Sequence, residues 1–289
     1  MKPRKGTIET DGFLLNYLVE GKGIPTLIIG SSIFYPRVFS KKIKTKLQLI
    51  FTDHRGFVPP PNRIITNDDF SLEKLINDVE ILRQSLGLTK FLIAGHSGHA
   101  FLALEYAKKY PENILGVLFI GASPDYSEKS HRLTDAYFFS TALESRKTMY
   151  ENAMQLLPAL IQENPEKRFV HFCLCSGARN WYQPDFDASP LWEGVYTNMQ
   201  MIDYVWGTVF RDIEIEQGLE RFRLPVLLLL GKYDYVTGPP ELWDSVKTKF
   251  FNIKRIVFEQ SGHYPMLEEP EIFDNKVLDW LKENGITIP

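Results

Sequence analysis

Lys90-Phe-Leu-Ile-Ala-Gly95-His96-Ser97-Gly98-His99-Ala100-Phe-Leu-Ala-Leu-Glu-Tyr-Ala-Lys-Lys109 decides the fold. The apolar run up to Ala94 reads as a strand and the run from Ala100 as a helix. Ser97 therefore stands at a strand-to-helix turn, with a glycine two residues before it, which is the pattern of a nucleophile elbow. The turn is too tight for a bulky side chain at Gly95. It lifts the serine hydroxyl above the sheet edge and sets the next N–H at a helix N-terminus, where negative charge is favoured. One position departs from Gly-x-Ser-x-Gly, because the last residue is His99.

The same alternation extends in both directions. Thr7–Thr10 and Phe13–Val19 read as a hairpin around Asp11-Gly12. Short apolar runs follow at Thr26–Ile29, Leu47–Thr52, Leu115–Ile120, Val226–Leu230 and Arg255–Phe258. Most are near-continuous rather than alternating, as strands buried on both faces should be. Between them lie helical patterns. Ser71–Leu86 carries Leu72, Leu75, Ile76, Val79 and Leu82 at helical spacing behind an N-cap Ser71. Pro240–Phe250 and Glu271–Glu283 are further helix candidates. Strands alternating with helices predict an α/β fold, a mostly parallel central sheet covered on both faces. From about Pro124 to Glu216 no strand run occurs. Aromatic-rich helical segments fill it, interrupted by Pro158, Pro165, Pro184 and Pro190. The expected division is a core of residues 1–123 and 217–289 with an inserted helical subdomain at 124–216.

Composition narrows the function classes. The chain has 289 residues, a hydrophobic content of 44% and a net charge of −3. A nucleic-acid footprint would need a clustered basic surplus. The groups Lys2–Lys5 and Lys41–Lys46 are short and read as solvated faces. Two cysteines two residues apart, Cys173 and Cys175, predict neither a disulfide nor a zinc site. No apolar leader and no run of membrane-span length is present, so cytoplasm is the default expectation and no membrane partner is expected.

A serine hydroxyl is a weak nucleophile. It needs a base in contact, an acid to orient that base, and donors for the developing oxyanion. On such a fold the chain order should be Ser, acid, His, with each group just beyond the C-terminal end of a strand. Asp234 follows Val226–Leu230 in Gly231-Lys-Tyr-Asp234, several residues too early to cap the helix expected near Pro239. His263 follows Arg255–Phe258 in Ser261-Gly-His263. Ser97, Asp234 and His263 are the candidate catalytic set. The oxyanion donors are expected from the N–H of Gly98 and from the loop after Thr26–Ile29, at Ser32 or the neighbouring Ile33. Gly98 lacks a side chain and so predicts an open wall beside the nucleophile. His96 reads as packing inside the elbow, and His54, His131 and His171 as structural. His99 is either a hydrogen-bonded packing residue or a polar group at the acyl site.

Together these residues resemble the α/β-hydrolase superfamily with a helical cap, over most of the chain outside 124–216. The turn Asp53-His-Arg-Gly56 is similar to the D-x-R-G turn of the proline iminopeptidase and epoxide hydrolase branches. Two positions depart from the family pattern: Gly30-Ser31 stands where a His-Gly pair is usual, and His99 where a second glycine is usual. Gly98 stands where iminopeptidases typically carry Trp, and Ser97 argues against branches with a nucleophilic aspartate. The resemblance implies that the cap sets substrate choice. Its aromatic residues, with the loop after the early strand, point to a large, mostly apolar small-molecule substrate. His99, Ile33, Phe34, Trp181, Trp192, Tyr196 and Trp206 are the candidate substrate-binding residues. The expected reaction is hydrolysis of a bulky ester or lactone, similar to what a serine-dependent macrolide esterase would need, with no metal or organic cofactor. An aminopeptidase using Glu193 to bind a substrate ammonium, and a non-catalytic binding protein, are the alternatives.

Overall fold

The computed structural model describes residues 3–287. Lys2 of the first basic group lies outside them. Eight strands form one sheet: β1 (Arg4–Thr10), β2 (Phe13–Gly21), β3 (Ile24–Gly30), β4 (Leu47–Asp53), β5 (Phe91–His96), β6 (Ile114–Ile120), β7 (Val226–Gly231) and β8 (Ile253–Phe258). Their order is β1-β2-β4-β3-β5-β6-β7-β8. The hairpin β1–β2 turns at Asp11 and Gly12, both with positive φ, as its tight turn requires. β2 pairs antiparallel with β4, and from β4 onward every pair is parallel. The central strands are apolar on both faces because both faces are covered, and buried clusters lie on either side.

Helix α1 (Leu72–Ser85) follows β4, and α2 (His99–Lys109) follows the elbow. Ser71 is the N-cap residue of α1, although its side chain makes no cap bond. The strand order turns back on itself around β3. β4 lies on one side of β3 and β5 on the other, so the loops after β3 and β5 flank one crevice at the C-terminal edge. That crevice is where Ser97 emerges.

Between β6 and β7 the described elements are helices and turns: α3 (Glu128–Thr141), α4 (Glu144–Glu163), α5 (Arg168–Cys175), shorter turns, and a π-helical turn at Val205–Val209. Pro158 does not interrupt this segment as expected but lies inside α4. It is on the exposed side, where water can serve the carbonyl left without a donor. Pro240–Phe250 is not the expected helix. It forms two separate 3-10 turns, Pro240–Trp243 and Lys247–Lys249. The Pro239-Pro240 pair removes two donors at its start, and β-branched Val246 and Thr248 weaken the rest. The helix expected over Glu271–Glu283 spans Pro270–Glu283. In the second basic group, Lys44 is half-buried and pairs with Glu20 at 2.7 Å rather than lying free.

Candidate active site

Ser97 has φ 56°, a left-handed conformation that a non-glycine residue adopts at a cost. Its N–H donates to the Ile120 carbonyl at 2.9 Å, which ties the elbow to the end of β6. A Cβ at Gly95 would stand 2.2 Å from the His99 carbonyl oxygen. The first turn of α2 packs directly on β5 there, and only glycine leaves the room.

Asp234 and His263 arrive from the ends of β7 and β8. His263 Nδ1 lies 2.8 Å from Asp234 Oδ2. Asp234 Oδ2 also accepts from Thr237 Oγ1 at 2.6 Å, and Oδ1 accepts from the N–H groups of Val236 and Thr237. Both residues are buried. A carboxylate holding Nδ1–H leaves Nε2 as the imidazole's basic nitrogen. The His263 N–H donates to the Asn180 carbonyl at 2.6 Å, so the helical segment fixes this loop from above. Glu268 fixes it from the side. Its carboxyl accepts from the N–H groups of Gly262 (2.9 Å), Tyr264 (3.2 Å) and Tyr182 (2.6 Å). Burial raises this carboxyl to about 7, against the pull of those three donors.

Ser97 and His263 line one cavity of about 240 Å³. Phe34, His99, Trp192 and Trp206, all expected at the substrate, also line it, together with Ser31, Tyr35 and His96. Farther along its wall are Thr134, Asp135, Ser176 and Arg179, with Arg179 Nη1 donating to Asp135 Oδ1 at 2.8 Å. Cys173 lines it too, its thiol pushed up to about 12 by burial. Among the described residues, no group of three or more His, Cys, Asp or Glu is arranged to hold a metal ion, and no helix is long and apolar enough to cross a membrane.

Several expected site residues lie elsewhere. The Ser32 N–H donates to Asp53 Oδ1 at 2.6 Å, so it does not point at Ser97. Ser32 and Ile33 face a separate depression beside β1 and β2, and the Ile33 N–H donates to Ser31 Oγ. Trp181 is buried behind the cavity wall, stacked on Tyr264 at 4.3 Å. Tyr196 is 44% exposed and outside the lining. Glu193 is exposed and also outside it. Gly98 does not leave an open wall, because a Cβ there would stand 2.8 Å from Phe210 and 3.1 Å from the Trp206 ring nitrogen. The π-helical turn has filled the space.

His99 is both of the things expected of it. It lines the cavity and sits in a buried chain of hydrogen bonds, and the acceptors fix every proton. The Gly56 N–H donates to His54 Nδ1 at 2.8 Å, so neutral His54 carries its proton on Nε2. His54 Nε2 meets His99 Nε2 at 2.7 Å, leaving the His99 proton on Nδ1. His99 Nδ1 faces the His96 carbonyl at 3.2 Å and Tyr35 Oη at 3.3 Å. His96 Nε2 donates to the His263 carbonyl at 2.9 Å, so Tyr35 O–H donates to His96 Nδ1. Burial holds all three rings neutral: His54 and His96 titrate well below the usual range, and His99 at about 4. His54, read as structural, is a buried and hydrogen-bonded member of this chain, whereas Tyr35 escapes a reading of the sequence. The one cue for His54 is its place in the Asp53–Gly56 turn; Tyr35 has none.

Residues 23–270 match the family model described as alpha/beta hydrolase fold. The AB hydrolase superfamily protein YclE of Bacillus subtilis (strain 168) is 44% identical over 280 residues, covering 97% of this chain and 99% of its own. A proline iminopeptidase of Heyndrickxia coagulans is 23% identical over 297 residues, with 90% and 91% covered. Among solved structures, an esterase from Exiguobacterium antarcticum superposes with a TM-score of 0.67 at 19% identity, covering 96% and 98%.

Proposed function

The chain belongs to the α/β-hydrolase family, and we propose that it is a serine hydrolase cleaving carboxylic esters or lactones. The observation that carries this reading is the meeting of Ser97 and His263 in one cavity, with Asp234 2.8 Å from the far imidazole nitrogen. Ser97 Oγ bonds to the substrate carbonyl carbon while His263 Nε2 takes its proton, and the carbonyl π pair moves onto oxygen. Collapse expels the alcohol oxygen, which takes the proton from His263. Water then attacks the acyl-enzyme in the same way, releasing the acid and restoring the Ser97 hydroxyl. Asp234 holds Nδ1–H throughout, and the Gly98 N–H, at the start of α2, faces the oxyanion.

The segment 124–216 serves as the cap over this cavity. Aromatic walls from Phe34, Trp192 and Trp206 support a bulky, largely apolar substrate, with a macrolide lactone at the large end of the range. An iminopeptidase would need a free carboxylate in the cavity to bind an ammonium. Glu193 lies outside, and Asp135, the lining carboxylate among the described residues, is engaged by Arg179. That pairing favours the ester reading.

The test is an ester and lactone screen of graded size on the wild type and Ser97→Ala, with covalent labelling by a fluorophosphonate. Ser97→Ala is expected to stay folded, lose the label and lose turnover by at least about 10⁴-fold. Undiminished hydrolysis by that variant would sink the assignment. Cleavage of proline anilides without esters would favour the iminopeptidase.

A further inference from the structure

We propose that the side-chain hydroxyl of Ser31, not a backbone N–H of its loop, is the second oxyanion donor opposite Gly98. The inference rests on the reading of Ser97 as nucleophile. It starts from where the loop's own donors point. The Ser32 N–H is spent on Asp53 Oδ1 at 2.6 Å. The N–H groups of Ile33 and Phe34 converge on Ser31 Oγ at 3.2 and 3.1 Å. Three consecutive N–H groups after Ser31 thus have partners within the protein.

The same bonds define what Ser31 can still do. A hydroxyl has two acceptor lone pairs and one proton to donate. Both lone pairs of Ser31 Oγ face N–H groups, so the oxygen can take no further donor and its remaining capacity is its O–H. Among the described residues nothing accepts from that O–H. Ser31 is only 1% exposed, yet it lines the cavity that holds Ser97 and His263. A buried hydroxyl that can only donate, at the wall of the reacting cavity, suits an oxygen that gains negative charge. Two accepted N–H bonds also polarise the O–H and make it a stronger donor.

Its position is held as well. The Ser31 carbonyl accepts from the Tyr35 N–H at 3.2 Å, closing the loop into a turn. Tyr35 in turn is anchored to His96 and His99. The donor is therefore set before substrate arrives, as oxyanion stabilisation requires. The serine at 31, where the family usually has glycine, becomes a functional exchange: the hydroxyl takes over when the loop N–H groups turn away.

The test measures kcat and KM for a short p-nitrophenyl ester, and Ki for a trifluoromethyl ketone that forms a tetrahedral adduct. Ser31→Ala is expected to lower kcat by about a hundredfold, keep KM within about twofold, and weaken the ketone by a similar factor to kcat. Ser31→Thr, which retains the hydroxyl, should recover most of the loss. A role confined to holding the loop would instead move KM and melting temperature, because Phe34 lines the cavity. Wild-type kcat and Ki in Ser31→Ala, or a loss in KM and stability alone, would overturn the proposal. Loss of fold in Ser31→Ala leaves Ser31→Cys to decide. Its weaker donor should give kcat and ketone affinity that fall together, and unchanged values would overturn the proposal. A wild type that neither turns over nor takes a fluorophosphonate on Ser97 would overturn the serine-hydrolase reading itself, and this proposal with it.

Discussion

Gly98 shows how one residue can be right in place and different in meaning. It directly follows Ser97 at the N-terminus of α2, as the elbow pattern predicts. Its missing side chain is not open space for the acyl group. Phe210 and Trp206 occupy it, and Trp206 also packs edge-on against His99 at 5.4 Å. A methyl group there must displace aromatic rings held by the π-helical turn. Gly98→Ala is expected to cost about 1–3 kcal/mol of stability and to lower kcat by disturbing the elbow. Urea denaturation and steady-state kinetics on the same preparation check both. Wild-type stability in the Gly98→Ala variant would mean that the aromatic wall is loosely held.

At the scale of elements, the three loops that carry Ser97, Asp234 and His263 are legible in the sequence. Ser97 and Asp234 each follow a buried, near-continuous apolar run and His263 follows the half-buried edge strand β8, and strand ends in such a sheet converge on one edge. The neighbours of those loops are not legible. Position alone points to Ser32, but Asp53 at the end of β4 captures its N–H from 21 residues away. Aromatic character points to Trp181 and Tyr196, yet both stand in irregular segments, where no periodicity says which way a side chain faces. His54 meets His99 only because β4 and β5 flank β3. The His263 loop shows the same dependence on distant partners. Glu268 gathers three N–H groups, two from that loop and one from the helical segment. Glu268→Gln puts an amide NH2 where an accepting oxygen was and sets donor against donor. The expected loss is about 1–3 kcal/mol of stability, with kcat lowered about tenfold to a hundredfold by misplacement of His263. Calorimetry and kinetics together check it. A variant that loses stability at full kcat would separate the clamp from catalysis.

Across the whole molecule, the helical segment is stitched to the core through Arg179–Tyr182. The Arg179 carbonyl accepts from the Tyr235 N–H, the Asn180 carbonyl from the His263 N–H, and the Tyr182 N–H reaches Glu268. The loops bearing both Asp234 and His263 are therefore shaped by the segment that covers them, and stability and activity should respond to pH together. His99 is held neutral by burial, with its pKa lowered from 6.5 to about 4. The unfolded chain takes up this proton below 6.5 while the folded chain does not. The contribution is full above 6.5 and is lost as pH falls toward 4. Glu268, raised to about 7, works in the opposite direction, favouring the fold below 4.5 and losing that contribution as pH rises through 7. Comparing the wild type with His99→Asn isolates the histidine. Between pH 7 and 4.5 the wild type should lose roughly 2–3 kcal/mol more than the variant, as read from urea midpoints. Equal losses would show that His99 titrates normally.

The chain of rings beside the site has one more property, which concerns conduction. Every bond in it points the same way, from the Gly56 N–H to the His263 carbonyl. Both ends are peptide groups, which neither supply nor accept a proton under ordinary conditions. It is thus a wire with insulated terminals. The His96 ring lies 4.4 Å from that of His263, yet the connection runs to the His263 backbone carbonyl and bypasses its imidazole. In the hydrolysis proposed above, a proton taken from Ser97 would have no path into the buried rings and would stay where the departing alcohol can collect it.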